Sequence, residues 1–384
     1  MKTFEPPIAA AGTFTRPQVG AAIALGVISL LMSGLMPLFL GALANEHRLS
    51  ATGIGQLATL ELLSTAATTG LAGAVLKPRN LPLLGIVASL LLAAANAATI
   101  RASGLELMAV RTLAGGPEGV LLWIVIGMIA RGPTPERRAG VLYTAMASSQ
   151  LVTAVVLSLL VLPRFGVDGC YFLVAVMSAL GAVAAFALPR AYGALPSDMD
   201  GGMPPMKGWF ALLAVFVFQA SIAGATVYIV PLALQAGLSN NVAQTAISLA
   251  LALEVVGGAL ATAISGRAKF LDVLLFSGLV LLAGLGVYAL RAPPWLFIGA
   301  SGSIGFCALL IMPFIVPMTI KADPSRRAAV QIGGAQLFGG AVGPVLASLV
   351  VTNRDSHGAL VLSAALLVAS LCIIFGLNRH VERR

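Results

Sequence analysis

Apolar residues in this chain fall into long blocks, each near the roughly 20 residues that a helix needs to cross the hydrocarbon layer of a membrane. Charged residues, prolines and glycines collect between the blocks. Cutting at those clusters predicts six helical segments in the first half, at 18–43, 51–76, 81–100, 105–130, 139–162 and 170–188. Six more follow at 208–234, 241–265, 270–290, 295–320, 328–352 and 359–377. No stretch alternates apolar and polar residues with period two, as the strands of a membrane barrel would. In lipid only helices and closed barrels satisfy their own backbone groups, so the expected fold is an all-α membrane protein.

Composition narrows the function classes. Of the 384 residues 59% are apolar and only 10% charged, against about 25% charged in a soluble domain. That disfavours a water-soluble enzyme, a DNA-binding protein and a secreted disulfide scaffold. The net charge of +9 is explained by position. Seventeen Lys and Arg residues fall at the terminal side of the predicted spans and five opposite them, Arg48, Arg101, Arg164, Arg291 and Arg354, with Arg111 inside a span. The positive-inside rule then puts both termini in the cytoplasm, which fits a multi-pass protein of the cytoplasmic (inner) membrane. No nucleic-acid partner is implied, membrane lipid is expected to contact the basic loops, and a monomer is expected. Residues 1–16 read as a short cytoplasmic tail, without a cleavage pattern.

Cys170, Cys307 and Cys372 lie in apolar segments and read as free thiols, while His47, His357 and His380 lack partners at metal spacing. No metal or cofactor is expected.

The chain also repeats itself. A shift of 189 residues lays Pro135, Arg137, Arg138 and Ala139 on Pro324, Arg326, Arg327 and Ala328, and gives ten identities in the 35 pairs from 135 to 169 without a gap. Six predicted spans separate the copies, so both halves share one orientation. The expected organisation is an N-terminal six-helix bundle over 1–188, a Pro/Gly-rich cytoplasmic linker over 189–207 and a C-terminal six-helix bundle over 208–384.

With these halves and loop motifs the chain resembles the major facilitator superfamily of secondary transporters. Arg111-Thr-Leu-Ala-Gly115-Gly116 is similar to that family's R-x-x-x-G pattern in span four, and Gly339-Gly-Ala-Val-Gly343-Pro344 to its G-x-x-x-G-P element. The latter sits in span eleven here, whereas the family's antiporters carry it in span five. The loop after span two, Gly73-Ala-Val-Leu-Lys77-Pro-Arg79, departs from the family's G-x-L-A-D-R-x-G-R-K, with Lys77 where the Asp would fall. Its second-half copy, Ser265-Gly266-Arg267-Ala-Lys269, is also incomplete. The resemblance implies that spans one, four, seven and ten line a central cavity and that two, five, eight and eleven meet between the halves.

An ionisable group deep in a span costs at least about 2.5–3.5 kcal/mol, which makes it a functional candidate. Glu61, Arg111, Glu118 and Glu254 qualify. The three acids fall near the midplane, and Arg111 and Glu118, seven residues apart, share a face of span four at a rise of about 10 Å. Low dielectric favours a neutral carboxyl and a nearby cation a charged one, so such acids can carry protons. The resemblance makes Glu118 the cavity acid with Arg111 as its charge partner, and Glu61 and Glu254 cavity-edge or interface groups.

Asn96, Gln150, Gln219, Tyr228 and Gln336 add polar candidates; Gln219 and Tyr228 are nine apart, on opposite faces of one helix. Met32, Met36, Phe39 and Phe314 suit packing or a substrate cage. Pro313 and Pro317 mark span ten as the expected gate hinge.

The reading is a secondary active transporter, not an enzyme. It moves a small organic or amphipathic solute by proton-coupled alternating access, with efflux favoured because three acids face one buried base. The alternatives are proton-coupled uptake of a small organic anion through Arg111 and, in a different class, a non-transporting membrane receptor on the same scaffold.

Overall fold

A computed structural model describes residues 14–131, 135–193, 203–264, 267–324, 327–352 and 355–382. Most of the N-terminal tail, the middle of the linker, Ser265-Gly266, Arg326 and Arg354 lie outside the described residues. The described chain is helical throughout, apart from one isolated bridge between Arg79 and Ala191.

In the first half the helices are α1 (Arg16–Asn45), α2 (Ala51–Val75), α3 (Leu81–Thr99), α4 (Gly104–Ala130), α5 (Pro135–Val156) and α6 (Leu162–Ala185). Local chemistry sets their ends. Thr15 and Gln18 form a capping box before α1, and the Ser50 hydroxyl accepts from the Gly53 amide at 3.1 Å to start α2. The predicted spans five and six are joined through a π-helical turn, Leu157–Val161, and the chain turns at Gly166, whose φ of 63° suits a residue without a Cβ.

The second half is more broken. The predicted seventh span is two helices, α7 (Met206–Thr226) and α8 (Ile229–Gln235), parted at Val227-Tyr228. The tenth is α11 (Pro294–Leu310) and α12 (Met312–Ala322), bent by 44° at Ile311. The eleventh is a single turn, α13 (Arg327–Val330), followed by α14 (Ile332–Ser348). Between them stand α9 (Asn240–Ile264) and α10 (Phe270–Ala289), and α15 (His357–Glu382) ends the chain. The bend at Ile311 precedes Pro313, because a proline cannot donate to the preceding turn and its ring clashes there. Both Pro313 and Pro317 are exposed.

All twelve predicted segments are occupied by helix. Among the described residues eight helical stretches are each long and apolar enough to cross a membrane, and the bent pair α11/α12 makes a ninth. One of the eight, Gly140–Ala185, contains two predicted segments. The 17-residue α14 is shorter than such a crossing requires.

Packing follows the repeat. Within the first half α4 packs on α2 and α3, α6 on α3, and α1 on α5 and α6; within the second α11 packs on α9 and α10, α15 on α10, and α7 on α14 and α15. These are the same pairings displaced by one half. A hydrogen bond shows it atom by atom: the Val167 amide donates to Glu46 Oε1 at 2.9 Å, and 189 residues on, the Ser356 amide donates to Gln235 Oε1 at 3.0 Å. Between the halves α2 packs on α14 and α5 on α9. Met32, Met36, Phe39 and Phe314 all belong to the buried core and act as packing.

Candidate functional site

The four ionisable positions expected deep in the spans do not form one site. Arg111, Glu61 and Glu118 come together inside the first bundle, where Arg111 is 0%, Glu61 2% and Glu118 3% exposed. Glu254 lies apart on α9, half-buried, with no hydrogen bond or ion pair to any described residue.

Close approach of α2 and α4 builds the cluster. Gly115 and Gly119 are four residues apart on α4, and a Cβ at Gly115 would sit 2.6 Å from the Glu61 carbonyl oxygen, one at Gly119 2.6 Å from that of Thr65. Small residues at this spacing let two membrane helices touch backbone to backbone. Glu61 on α2 is thereby brought against Arg111 on α4. The guanidinium donates through Nε to Glu61 Oε2 at 3.0 Å and through Nη2 to Oε1, a fork-to-fork pair. Its Nη1 donates to Asn96 Oδ1 on α3 at 2.7 Å, and its plane lies 5.5 Å from the Tyr171 ring centroid on α6. Asn96 in turn donates to Ser178 Oγ at 3.1 Å.

Glu118 is the unequal member. Its Oε2 accepts from the Thr65 hydroxyl at 2.9 Å, while its Oε1 is 3.8 Å from Arg111 Nη2 and is buried without a hydrogen-bond donor. Its backbone carbonyl accepts from Ser29 Oγ on α1 at 2.8 Å. From the resemblance, Glu118 is expected to partner Arg111 and Glu61 to stand at the cavity edge or interface. In the structure Glu61 holds the guanidinium and Glu118 is second in line, because Glu61 faces Arg111 across the close α2–α4 contact. Thr65, Tyr171 and Ser178 are not among the sequence candidates. Thr65 was visible in outline, one turn from Glu61 on the same face; Tyr171 carries no such local sign.

The second bundle has no copy of the cluster. The same 189 shift carries Glu61, Asn96, Arg111, Glu118, Tyr171 and Ser178 onto Ala250, Leu285, Ala300, Cys307, Leu360 and Leu367. Leu285 and Leu367 line a void of about 10 Å³ at that place.

Comparison with known proteins decides the family. A family model described as Major Facilitator Superfamily matches residues 21–348. The chain belongs to the Major Facilitator Superfamily. Among solved structures it is similar to the nucleoside transporter NupG, with a TM-score of 0.75 and 10% identity over 94% of this chain and 100% of that one. It is also similar to the human organic anion transporter MFSD10 (TETRAN), with a TM-score of 0.68 and 13% identity over 94% and 99% of the two chains. No curated protein matches it in sequence. At these identities the structural likeness concerns the fold, and the family makes the chain a multi-pass membrane transporter of small molecules.

Against the superfamily frame, the remaining polar candidates divide by position. Gln150 on α5 donates to the Leu30 carbonyl on α1 at 2.7 Å and fills the space beside Gly34, so it ties two helices of one bundle. Tyr228, at the break between α7 and α8, is fully buried, and its hydroxyl donates to the Ala51 carbonyl at the start of α2 at 3.2 Å. It therefore spans the two halves, and the expectation that it shares one helix with Gln219 fails at that break. Gln219 is half-buried against Gly339 and Gly340 of α14, and Gln336 donates to Met312 Sδ at 3.1 Å.

The atypical loop after α2 is held by backbone bonds: the Tyr192 amide donates to the Pro78 carbonyl at 3.0 Å and the Leu81 amide to that of Arg190 at 3.2 Å. At the opposite end Arg48 donates to Asp168 at 2.6 Å and to the Ala102 carbonyl. Burial alone would raise the Asp168 pKa, but the Arg101 amide and the Arg48 guanidinium outweigh it and hold the carboxyl below its usual range. That end also carries a cleft of about 540 Å³ between the two halves, lined by residues including Asn45, Arg48, Ala51, Leu234 and Gln235.

Proposed function

We propose that this superfamily member is a proton-coupled transporter that exports a small amphipathic solute, with Glu118 as the proton carrier and Arg111 as the group that responds to it. The observation that carries this reading is the uneven cluster: one guanidinium between two sealed carboxyls, one fully paired and the other with an oxygen lacking a donor. A single proton makes the cluster neutral. When it sits on Glu118, Arg111 rests on Glu61, the arrangement seen here. When Glu118 loses it, the carboxylate draws the guanidinium across the remaining 3.8 Å, and because both side chains stand on α4 the tie from Arg111 to Glu61 of α2 is loosened. Coupling arises because the two arrangements suit different packings of the first bundle, and a ligand or proton that prefers one of them shifts the population.

Anion uptake through Arg111 has less support, since its guanidinium is enclosed and committed to Glu61, Asn96 and Tyr171. A receptor without transport would have no use for an unevenly compensated charge cluster held in a protein interior.

The basic loops support placing both termini in the cytoplasm, in an inner membrane with lipid around a monomer. The boundaries at 188 and 208 are proposed as those of the two rocking bundles, with Pro313 and Pro317 marking the hinge of the second.

Everted vesicles energised to an acidic interior, and reporting pH through a quenched amine dye, test the coupling. Amphipathic compounds that dissipate the gradient with the native protein are expected to leave it intact with Glu118→Gln. Undiminished proton release in that variant would remove Glu118 from the mechanism.

A further inference from the structure

Glu254 is the one carboxyl in the interior of a predicted span that, among the described residues, has neither hydrogen bond nor ion pair, and it takes no part in the cluster above. Its direction is set by the helix. On α9 the exposed side is formed by Val256, Ala259, Leu260 and Ala263, whereas Ala243, Ile247, Leu251 and Ala261 are buried. At 100° per residue Glu254 lies about 180° from the middle of the exposed side and within the buried one. It therefore faces protein, towards the region where α9 packs on α11 of its own half and on α5 of the other. Yet the residue is only half-buried. Its accessible surface lies on the side of α9 turned from the exposed residues, next to the seam between the halves.

The surroundings fix the chemistry. α9 approaches α11 through Gly257, Gly302 and Gly305, and the atoms meeting there are backbone and aliphatic: Phe306 and Ala250 backbone, Leu249 and Leu253 side chains. Among the described residues no cationic side chain is held against the carboxyl. Arg111, the one basic residue within a predicted span, is enclosed in the other bundle with its own acids. An unpaired carboxylate in an apolar setting is costly, and a cation brought by a ligand relieves that cost.

We propose that Glu254 is the recognition group for the positive charge of the transported solute, and that the substrate class is the monovalent organic cation: an ammonium or phosphonium centre carrying apolar groups. The proposal rests on the transporter reading above and assigns the two tasks to different bundles, proton handling to the first and charge recognition to the second. The division matches the replacement of Glu61, Asn96, Arg111 and Glu118 by Ala250, Leu285, Ala300 and Cys307 in the second bundle, while Glu254 stands at the place of Thr65 as that bundle's one deep charge.

Equilibrium binding tests this independently of coupling. Tetraphenylphosphonium, a permanent cation that cannot exchange a proton, is titrated against detergent-purified full-length protein, with uncharged triphenylphosphine oxide as the comparison. The expected result is saturable binding of the cation and much weaker binding of the neutral compound. Glu254→Gln weakens the cation at least about tenfold and Glu254→Asp retains most of the affinity. In the native protein, a hydrophobic carbodiimide modifies Glu254, and tetraphenylphosphonium protects it, as read by peptide mass. This second measurement does not depend on the variants folding. Equal cation affinity in native protein and a folded Glu254→Gln, absence of saturable binding, or labelling of Glu254 that the cation leaves unchanged would each overturn the assignment. If the cation binds as expected while Glu118→Gln still releases protons, the substrate assignment stands and the coupling scheme fails; the reverse pattern separates them the other way.

Discussion

At the residue scale, the behaviour of the cluster follows from counting charges against partners. Arg111 makes three charge-assisted or polar hydrogen bonds in a fully enclosed position, so removing it leaves Glu61 without its cation and Asn96 without its donor. Loss of one partner of a buried pair costs about 3–5 kcal/mol, much more than the pair contributes in net stability. Arg111→Met is therefore expected to lower the thermal stability of the detergent-solubilised protein strongly. Adding Glu61→Gln to it should recover a substantial part, because the second substitution removes the stranded charge. Thermal unfolding of the four proteins in the cycle checks this, and additive losses would mean that the two side chains are not a functional pair. Lysine at 111 is not equivalent, since it cannot reach both Glu61 oxygens and Asn96 in one plane.

At the element scale, the cluster depends on how close α2 comes to α4. Gly115 and Gly116 are neighbours with opposite surroundings: a Cβ at 115 would meet the Glu61 carbonyl, Ser64 and the Thr65 amide, while one at 116 meets nothing within 4 Å. Gly115→Ala should cost about 1–3 kcal/mol through overpacking and shift Glu61 away from the guanidinium. Gly116→Ala should stay within about 1 kcal/mol of the native protein in stability, with gradient-driven dye release preserved. Equal effects at the two positions would argue that helix proximity does not set the cluster.

This contrast also shows where the sequence was legible. Long apolar blocks, loop charges and the repeated P-x-R-R-A run were enough for the helical class and the two-bundle arrangement, because each is a property of one segment and its period. The four deep charges stood out for the same reason. Their pairing did not, since whether Arg111 meets Glu61 or Glu118 depends on the rotation of α2 against α4. The interruptions at Val227-Tyr228 and Gln331 were hidden too. Hydropathy runs through them unbroken, and only tertiary packing selects the point where the ladder opens.

For the whole molecule, the two halves differ in build as well as in charge. The first bundle holds continuous α1 and α4 around its polar cluster; the second has the helices of its seventh, tenth and eleventh predicted spans interrupted, as α7/α8, α11/α12 and α13/α14. Alternating access requires the halves to part at one end while closing at the other, and at the end carrying Arg48 they are in contact. Gly41 lies against Val230, and Gly55 against Pro344, Ser348 and the Tyr228 hydroxyl. Tyr228 crosses this seam with its bond to the carbonyl of Ala51, a residue that lines the cleft between the halves. It stands at the α7/α8 interruption, so α8 can swing away on a joint already present, provided that this bond is released. One hydrogen bond contributes about 0.5–1.5 kcal/mol net, which corresponds to a roughly two- to tenfold change in the ratio of closed to open molecules. Tyr228→Phe keeps the ring and removes only the donor. Nitroxides on Asn45 and Leu234, which line opposite sides of the cleft, should then show a larger long-distance population in the variant than in the native protein when both are measured in lipid nanodiscs. An unchanged distance distribution would mean that close packing at Gly41 and Gly55 holds the seam by itself, and that the tyrosine hydroxyl serves only to satisfy the first turn of α2.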